Sequence, residues 1–298
     1  MMPQIPEVRL QDGGAGMRTK RLKFLAALLL GTLPALAAEN RKEFKYTPKP
    51  GSTITIINEY GPVTVKAAPG RQVVIAATTH SDKVEVDSSE TGNRIEARTH
   101  FLQKASDDEG RVDYEVSVPA NVAIVVRAAT GPIQAEKLQS DLTLKGDAAR
   151  IVVRDINNVH LHLQTVGGAI ELANISGGHV EVISSDGAVH LTSVTGPKVT
   201  VNTVSGDIAY DGDFSSGGEY AFTNHSGNID VTLPASASID LMARAITGSV
   251  QNDFPMQQKK THSSFNLVDG RSSVGTSNSG ASSVQLRTFS GKIRVKKR

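Results

Sequence analysis

Cysteine and tryptophan are absent from this sequence, and the aromatic fraction is only 4%. Without cysteine the chain has no disulfide framework, no thiolate nucleophile and no cysteine-ligated zinc site. Few aromatic residues and 27 glycines favour many short strands and turns over a helical bundle with a core of large side chains. We therefore expect an all-β protein.

An excess of charge of one sign is also missing. The 32 Lys and Arg residues nearly balance the 30 Asp and Glu residues, which leaves a formal charge of +2. A polyanion partner normally requires a strongly basic chain, so the composition predicts no nucleic-acid partner.

The apolar run from Phe24 to Leu33 is too short for a transmembrane helix, which needs roughly 20 apolar residues. Four basic residues between positions 18 and 23 precede this run, and Ala35-Leu36-Ala37 follows it. Together they predict a secretory signal peptide over residues 17–37. We expect residues 1–16 to be disordered or to reflect a mis-assigned start, with Met17 as the true one. The mature protein is then periplasmic, on the cell surface or secreted, with no transmembrane segment after cleavage.

From residue 128 onward the chain repeats a short unit, typically Ser or Thr, then Gly, any residue, and Ile or Val. Five of its glycines follow one another at intervals of 19 to 21 residues, and two more lie about two periods before and after them. These predicted corner glycines are Gly131, Gly168, Gly187, Gly206, Gly227, Gly248 and Gly291. Glycine would supply the positive φ that a sharp corner needs, and the preceding hydroxyl would bond free backbone groups.

A second strand lies halfway through most periods, and apolar residues alternate in every strand. This pattern predicts a β-solenoid, a single-chain structure like a parallel β-helix, with two-strand coils of about 19–21 residues. One inward row is expected to stack in the order Ile170, Val189, Ile208, Ile229, Val250. Residues 38–127 are interpreted as irregular N-terminal coils that form one continuous domain with the regular coils of 128–298. The polar stretch 272–283 is expected to be a mobile loop.

The residues also resemble the bacterial DUF4097 "putative adhesin" family. The resemblance rests on the serial Ser-Gly-x-Ile units and on the segments 58–65, 112–119 and 284–293. It implies a β-helix-like repeat fold in exported or envelope-associated proteins, and it brings no catalytic motif with it.

Histidines are the first candidates for chemistry. A 19-residue period places His160, His179 and Lys198 in one outward column, with His162, Glu181 and Thr200 beside it. The three histidines and Glu181 are the residues that a Zn²⁺ or Cu²⁺ site would use. Columns of ordinary surface residues arise in any solenoid, however, and Lys198 would repel a cation. We therefore predict no metal and no cofactor, and the remaining histidines show no ligand spacing.

Carboxylates near the corners are the second candidates, because parallel β-helices often process polysaccharides. They are Asp186, Asp207, Asp211, Asp213 and Asp230. Aspartate is also a common turn residue, and Ser205 and Ser226 have no base at a diagnostic spacing, so we interpret all of these as corner residues. The basic C-terminal residues 294–298 could contact anionic lipid or polysaccharide, but are expected to be solvated and to keep the last strand from pairing with another molecule.

Export, a repeat fold and the lack of a catalytic motif predict a non-enzymatic, adhesin-like module of the cell envelope. Its partner would be an envelope protein or a polysaccharide. Two alternatives stay open: a carbohydrate-active β-helix enzyme, and a periplasmic partner in envelope signalling. The sequence does not predict the oligomeric state.

Overall fold

The computed structural model describes residues 40–257 and 270–298. The predicted signal peptide and the segment before it lie outside these described residues. Within them the secondary structure is all strand, and no helix there could cross a membrane. The strands are β1 Asn40–Tyr46, β2 Thr53–Asn58, β3 Val63–Ala67, β4 Val73–Thr79, β5 Val84–Thr91, β6 Arg94–Phe101, β7 Val112–Val118, β8 Ala123–Ala128, β9 Ile133–Glu136, β10 Leu142–Gly146, β11 Ile151–Asn157, β12 His160–Thr165, β13 Ile170–Ser176, β14 His179–Ser184, β15 Val189–Val194, β16 Lys198–Thr203, β17 Ile208–Asp211, β18 Glu219–Asn224, β19 Ile229–Leu233, β20 Ile239–Ala245, β21 Ser249–Asn252, β22 Ser272–Ser277, β23 Ser282–Thr288 and β24 Lys292–Lys297.

These strands form two sheets in which most neighbours run parallel. Sheet A has the order β1-β4-β7-β3-β9-β11-β13-β15-β17-β19-β24-β21. Sheet B has the order β22-β20-β23-β18-β16-β14-β12-β10-β8-β2-β6-β5. From β8 to β19 the chain alternates between the two sheets, so each coil contributes one strand to each. This is the predicted all-β solenoid with two-strand coils, and the fold prediction is confirmed.

The core consists of aliphatic rows that run from coil to coil between the sheets. Ile151 pairs with Ile170, Ile170 with Val189, and so on to Ile229, and all of these side chains are buried. Sheet B supplies a facing row that includes Leu161, Val180 and Val199. Each fully buried aliphatic side chain stabilises the fold by ~1.5–3 kcal/mol before chain entropy is counted.

The predicted order of the inward row is wrong at its C-terminal end. Ile229 does not stack on Val250, because Ile293 of β24 lies between them. In sheet B, β23 likewise lies between β18 and β20. In space, β23 and β24 therefore follow β18 and β19. The strands β20 and β21 lie beyond them, although they come earlier in the sequence.

The N-terminal end of the stack is built in a similar way. The coil of β2 and β3 lies between the coil of β6 and β7 and that of β8 and β9. Antiparallel strands then close this end: β1 pairs with β4, β4 with β7, and β5 with β6. The strands before residue 128 thus belong to the same two sheets as those after it.

Two expectations for the C-terminal region are also wrong. Much of the stretch 272–283 is strand rather than loop, because β22 pairs antiparallel with β20 and β23 begins at Ser282. The last strand is not an edge that the basic tail would have to protect from another molecule, since β24 is paired on both sides within the chain. Its Arg294 forms an ion pair with Asp230, and Arg298 forms one with Asp211.

Candidate interaction surface

The seven corner glycines lie in one column, with Ala149 between Gly131 and Gly168, but not for the predicted reason. None of them has a φ in the left-handed region. A Cβ at Gly187 would instead collide with the carbonyl oxygen of Gly168 in the neighbouring coil, and one at Gly291 would collide with that of Gly227. The corner therefore requires glycine because two backbones approach closely there. In this column only Gly61, the early copy of the corner, has a positive φ, of 97°.

The hydroxyls that precede these glycines reach across to the adjacent coil. Thr247 Oγ1 donates to the carbonyl oxygen of Phe289 at 2.9 Å, and Ser226 Oγ donates to that of Val204 at 3.3 Å. Ser205 Oγ donates to the carboxylate of Asp186. These contacts link coils. Ser226 bonds a backbone carbonyl group, as predicted for a corner hydroxyl, whereas Ser205 bonds a side chain instead.

A polar ladder inside the same corner was not predicted. Three residues before most corner glycines a buried Thr, Ser or Asn bonds the backbone of its own corner glycine. Thr203 Oγ1 donates to the carbonyl oxygen of Gly206 at 2.8 Å, and Asn224 Oδ1 accepts from the N–H of Gly227 at 2.5 Å. The sequence carries this signal at positions 165, 184, 203, 224 and 288.

The histidine column lies on the outward face of sheet B in the predicted register. His160 pairs with His179 and His179 with Lys198, while His162 pairs with Glu181. The rings of His160 and His179 are 5.0 Å apart, edge to face. Nδ1 of His162 lies 3.0 Å from Glu181, and Nδ1 of His160 lies 3.2 Å from Asp141. The column therefore consists of separate histidine–carboxylate pairs and does not converge on one point.

A different cluster, missed by the sequence analysis, meets the spacing of a metal site more closely. Glu85, Asp87 and His100 each offer a ligand atom, and these atoms lie within 4.8 Å of one another. Nδ1 of His100 is 3.3 Å from Glu85 and 3.4 Å from Asp87. The β5–β6 hairpin creates this cluster by pairing Glu85 with His100. It supplies three of the four ligands of a tetrahedral zinc site.

A shallow depression of about 540 Å³ adjoins this cluster on the outer face of sheet B. Its lining is predominantly polar and comprises Gly51, Thr53, Ser89, Thr91, Asn93, Arg94 and Glu96.

The five aspartates considered for catalysis are all engaged by the scaffold. Arg294 contacts Asp230 through both Nε and Nη2, and this bonding raises the pKa of Arg294. Asp207 accepts from the N–H of Asn228 at 2.7 Å, and Asp213 accepts from that of Phe214 at 2.8 Å. The other two hold Ser205 and Arg298. Each of these carboxylates thus has a structural partner.

Three solved structures illustrate the similarity to known proteins. A "putative cell adhesion protein" from Clostridium sporogenes is 12% identical, with a TM-score of 0.29, over 87% of this chain and 100% of its own. A "putative adhesin" from Parabacteroides distasonis is 11% identical, with a TM-score of 0.42, over 87% and 97%. A "putative adhesin" from Bacteroides fragilis is 10% identical, with a TM-score of 0.42, over 88% and 99%. These similarities are too distant to assign a partner.

No curated protein matches the sequence. The family model described as Toastrack DUF4097 matches residues 52–296, which span every strand from β2 to β23 and nearly all of β24. This match confirms the resemblance carried by the corner units, and the chain belongs to the DUF4097 (Toastrack) family.

Proposed function

We propose that this protein is an exported, non-catalytic interaction module of the cell envelope, and that it contacts a polysaccharide or an envelope protein through the outward face of sheet B. The observation that carries the proposal is the register of the parallel strands. It converts each outward position into a column that repeats from coil to coil, as in His160, His179 and Lys198. Parallel strands lie about 4.8 Å apart, so such columns present regularly spaced polar groups to an extended partner.

The contacts of the carboxylates support a binding role over catalysis. A retaining or inverting glycosidase needs two carboxyl groups that face each other across the scissile bond, one of them able to donate a proton. Asp230 is held by Arg294 and Asp207 by Asn228, so neither is poised for that task. Membership of the DUF4097 family agrees with a non-catalytic module. The signal-peptide pattern of residues 17–37 supports export.

A binding assay on the purified protein tests this proposal. We expect retention on an array of envelope polysaccharides, or reproducible capture of one envelope protein after cross-linking in cells. The variant His179→Ala changes the outward column of sheet B and should weaken that binding. His190→Ala removes an outward histidine of sheet A and is the matched control.

A zymogram on the same polysaccharides examines the enzyme alternative. Turnover that disappears in Asp207→Ala or Asp230→Ala would overturn the proposal, as would an absence of any envelope ligand in both binding assays.

A further inference from the structure

A row of exposed side chains, three of them apolar and one a histidine, follows the corner at the C-terminal end of the stack. We name Val204, His225, Phe289 and Ile246 the corner ridge. They occupy the same place in four successive coils, as the backbone bonds show: His225 N–H donates to Val204, Ser290 N–H to His225 and Thr247 N–H to Phe289. The ridge is continuous only because the last coil is inserted between the coils of Gly227 and Gly248.

The exposure of this ridge is exceptional in the described part of the chain. Val204 is 54% exposed, Ile246 52% and Phe289 44%. The other large apolar residues with comparable exposure in the described ranges are Val166, on the same corner two coils before Val204, and Leu102, which lies elsewhere. The ring of His225 stacks on Phe289 at 4.9 Å with an interplanar angle of 9°. This stack extends the flat apolar surface between Val204 and Ile246.

Positive charge flanks the same end of the ridge. Arg244 and Arg287 are exposed on sheet B, each two residues before a ridge residue, and Lys292 is exposed on the other side. None of the three pairs with a carboxylate among the described residues. Arg271 also lies at the ridge, where its Nη1 donates to the carbonyl oxygen of Ile246 at 3.4 Å. Further toward the N-terminal end, the same corner carries Asp147 and Asp186 on either side of Val166, with Lys145 two residues before Asp147.

We propose that the corner ridge binds the surface of membranes that contain anionic lipid. Exposed aliphatic and aromatic side chains enter the boundary between headgroups and acyl chains, and neighbouring Arg and Lys residues attract lipid phosphates. The ridge suits this occupant better than a protein, since it is one residue wide. Four coils at about 4.8 Å spacing give a length of only about 14 Å, whereas a stable protein interface buries about 800 Å² per partner. This inference does not rest on the proposed function, because the four ridge residues lie at the corner, beyond the ends of the sheet B strands that carry the histidine column.

Co-sedimentation with lipid vesicles tests the inference, using purified protein with its N-terminus as found in cells. We expect binding to vesicles of phosphatidylglycerol and phosphatidylcholine, weak binding to phosphatidylcholine alone, and a decrease as salt is raised. The double variant Phe289→Ser/Ile246→Ser should lose at least about tenfold in affinity. Arg244→Gln/Arg287→Gln should lose the preference for anionic vesicles. Any contribution of residues 24–33 is common to all variants.

Two single variants serve as matched controls. Val166→Ser removes an equally exposed side chain from the same corner outside the ridge, and Leu102→Ser removes one away from the corner. Both should bind like the parent, and thermal unfolding of every variant checks that the fold is retained. Equal binding to neutral vesicles, absence of binding to anionic ones, full binding by the folded Phe289→Ser/Ile246→Ser variant, or an equal loss in the controls would each overturn the inference. A negative result in the vesicle assay contradicts only the lipid-binding inference. The glycan array and the capture assay test the proposed function independently of it.

Discussion

At the residue scale, the positions of the corner glycines were predicted correctly, but the physical reason given for them was wrong. The spacing of the glycines predicts the corner, whereas their backbone angles are ordinary and the constraint is the carbonyl oxygen of the next coil. One sequence cannot separate these reasons, because both select glycine. The two reasons predict different effects of a substitution by alanine. Alanine adopts an ordinary φ without strain, but its methyl group does not fit where two backbones are in close contact.

Gly187→Ala is therefore expected to destabilise the protein by about 1–3 kcal/mol, since the added methyl group must displace the backbone at Gly168. Gly167→Ala is the matched control, because a Cβ there would meet nothing within 4 Å and φ is not positive. Its stability should stay within about 0.5 kcal/mol of the parent. Urea unfolding of both variants measures the difference, and equal stabilities would contradict the close-contact explanation.

A second prediction at this scale concerns pH. The hydrogen bond from Lys83, with help from the N–H and hydroxyl of Ser106, lowers the pKa of Glu109 from 4.5 to about 2. A carboxylate with a lowered pKa contributes stability that is fully present above the unfolded value and is lost as the pH falls through the folded value. The melting temperature should therefore decline between about pH 4.5 and pH 2, and Glu109→Gln should flatten that part of the profile.

Glu90→Gln is the control for this pH profile. Glu90 is exposed on β5 and forms no ion pair among the described residues. Its removal should leave the decline below pH 4.5 intact, and a Glu109→Gln profile that runs parallel to the parent would show that the Lys83 contact contributes nothing.

At the element scale, strand positions and faces were predictable because burial imposes a period of two on every strand. The outward column of His160, His179 and Lys198 followed from that period together with the 19-residue repeat. The cluster of Glu85, Asp87 and His100 did not, because it depends on the register of an antiparallel hairpin, which lies outside the repeat and is not given by its spacing. The interior ladder was visible as a polar residue three positions before the glycine, but alternation alone gives no reason to place a polar side chain inside.

The buried polar ladder three residues before the corner glycines predicts an effect on stability. Asn224 Nδ2 donates to the carbonyl oxygen of Gly206 at 2.8 Å, and Oδ1 accepts from Gly227. Asn224→Ala leaves these buried groups unpaired and should cost about 1–3 kcal/mol, beside any cavity effect. Asn202→Ala, at an exposed position of the neighbouring strand β16, should be nearly neutral. Equal effects in chemical denaturation would show that the ladder is not a stabilising element.

At the scale of the whole molecule, the order of the coils could not be read from the sequence. Ile293 and Val250 are both inward aliphatic residues after a corner glycine, so either fits beside Ile229. Burial decides which residues face inward. Which of two apolar residues lies beside Ile229 depends instead on the path that the chain takes between coils. This order places Phe289 between His225 and Ile246, and the corner ridge exists only because of it.

The lack of native cysteine makes that order directly measurable. Thr223, Arg287 and Arg244 are exposed on adjacent strands of sheet B, with Arg287 paired to both of the others. Neighbouring strands lie about 4.8 Å apart, within reach of a disulfide, whereas strands separated by one other lie about twice as far apart and beyond it. Under mild oxidation we expect disulfides in Thr223→Cys/Arg287→Cys and in Arg244→Cys/Arg287→Cys, but not in Thr223→Cys/Arg244→Cys. Cross-linking only of the pair 223 and 244, identified by peptide mass spectrometry, would show that the coils stack in sequence order and would contradict both the inserted coil and the ridge built on it.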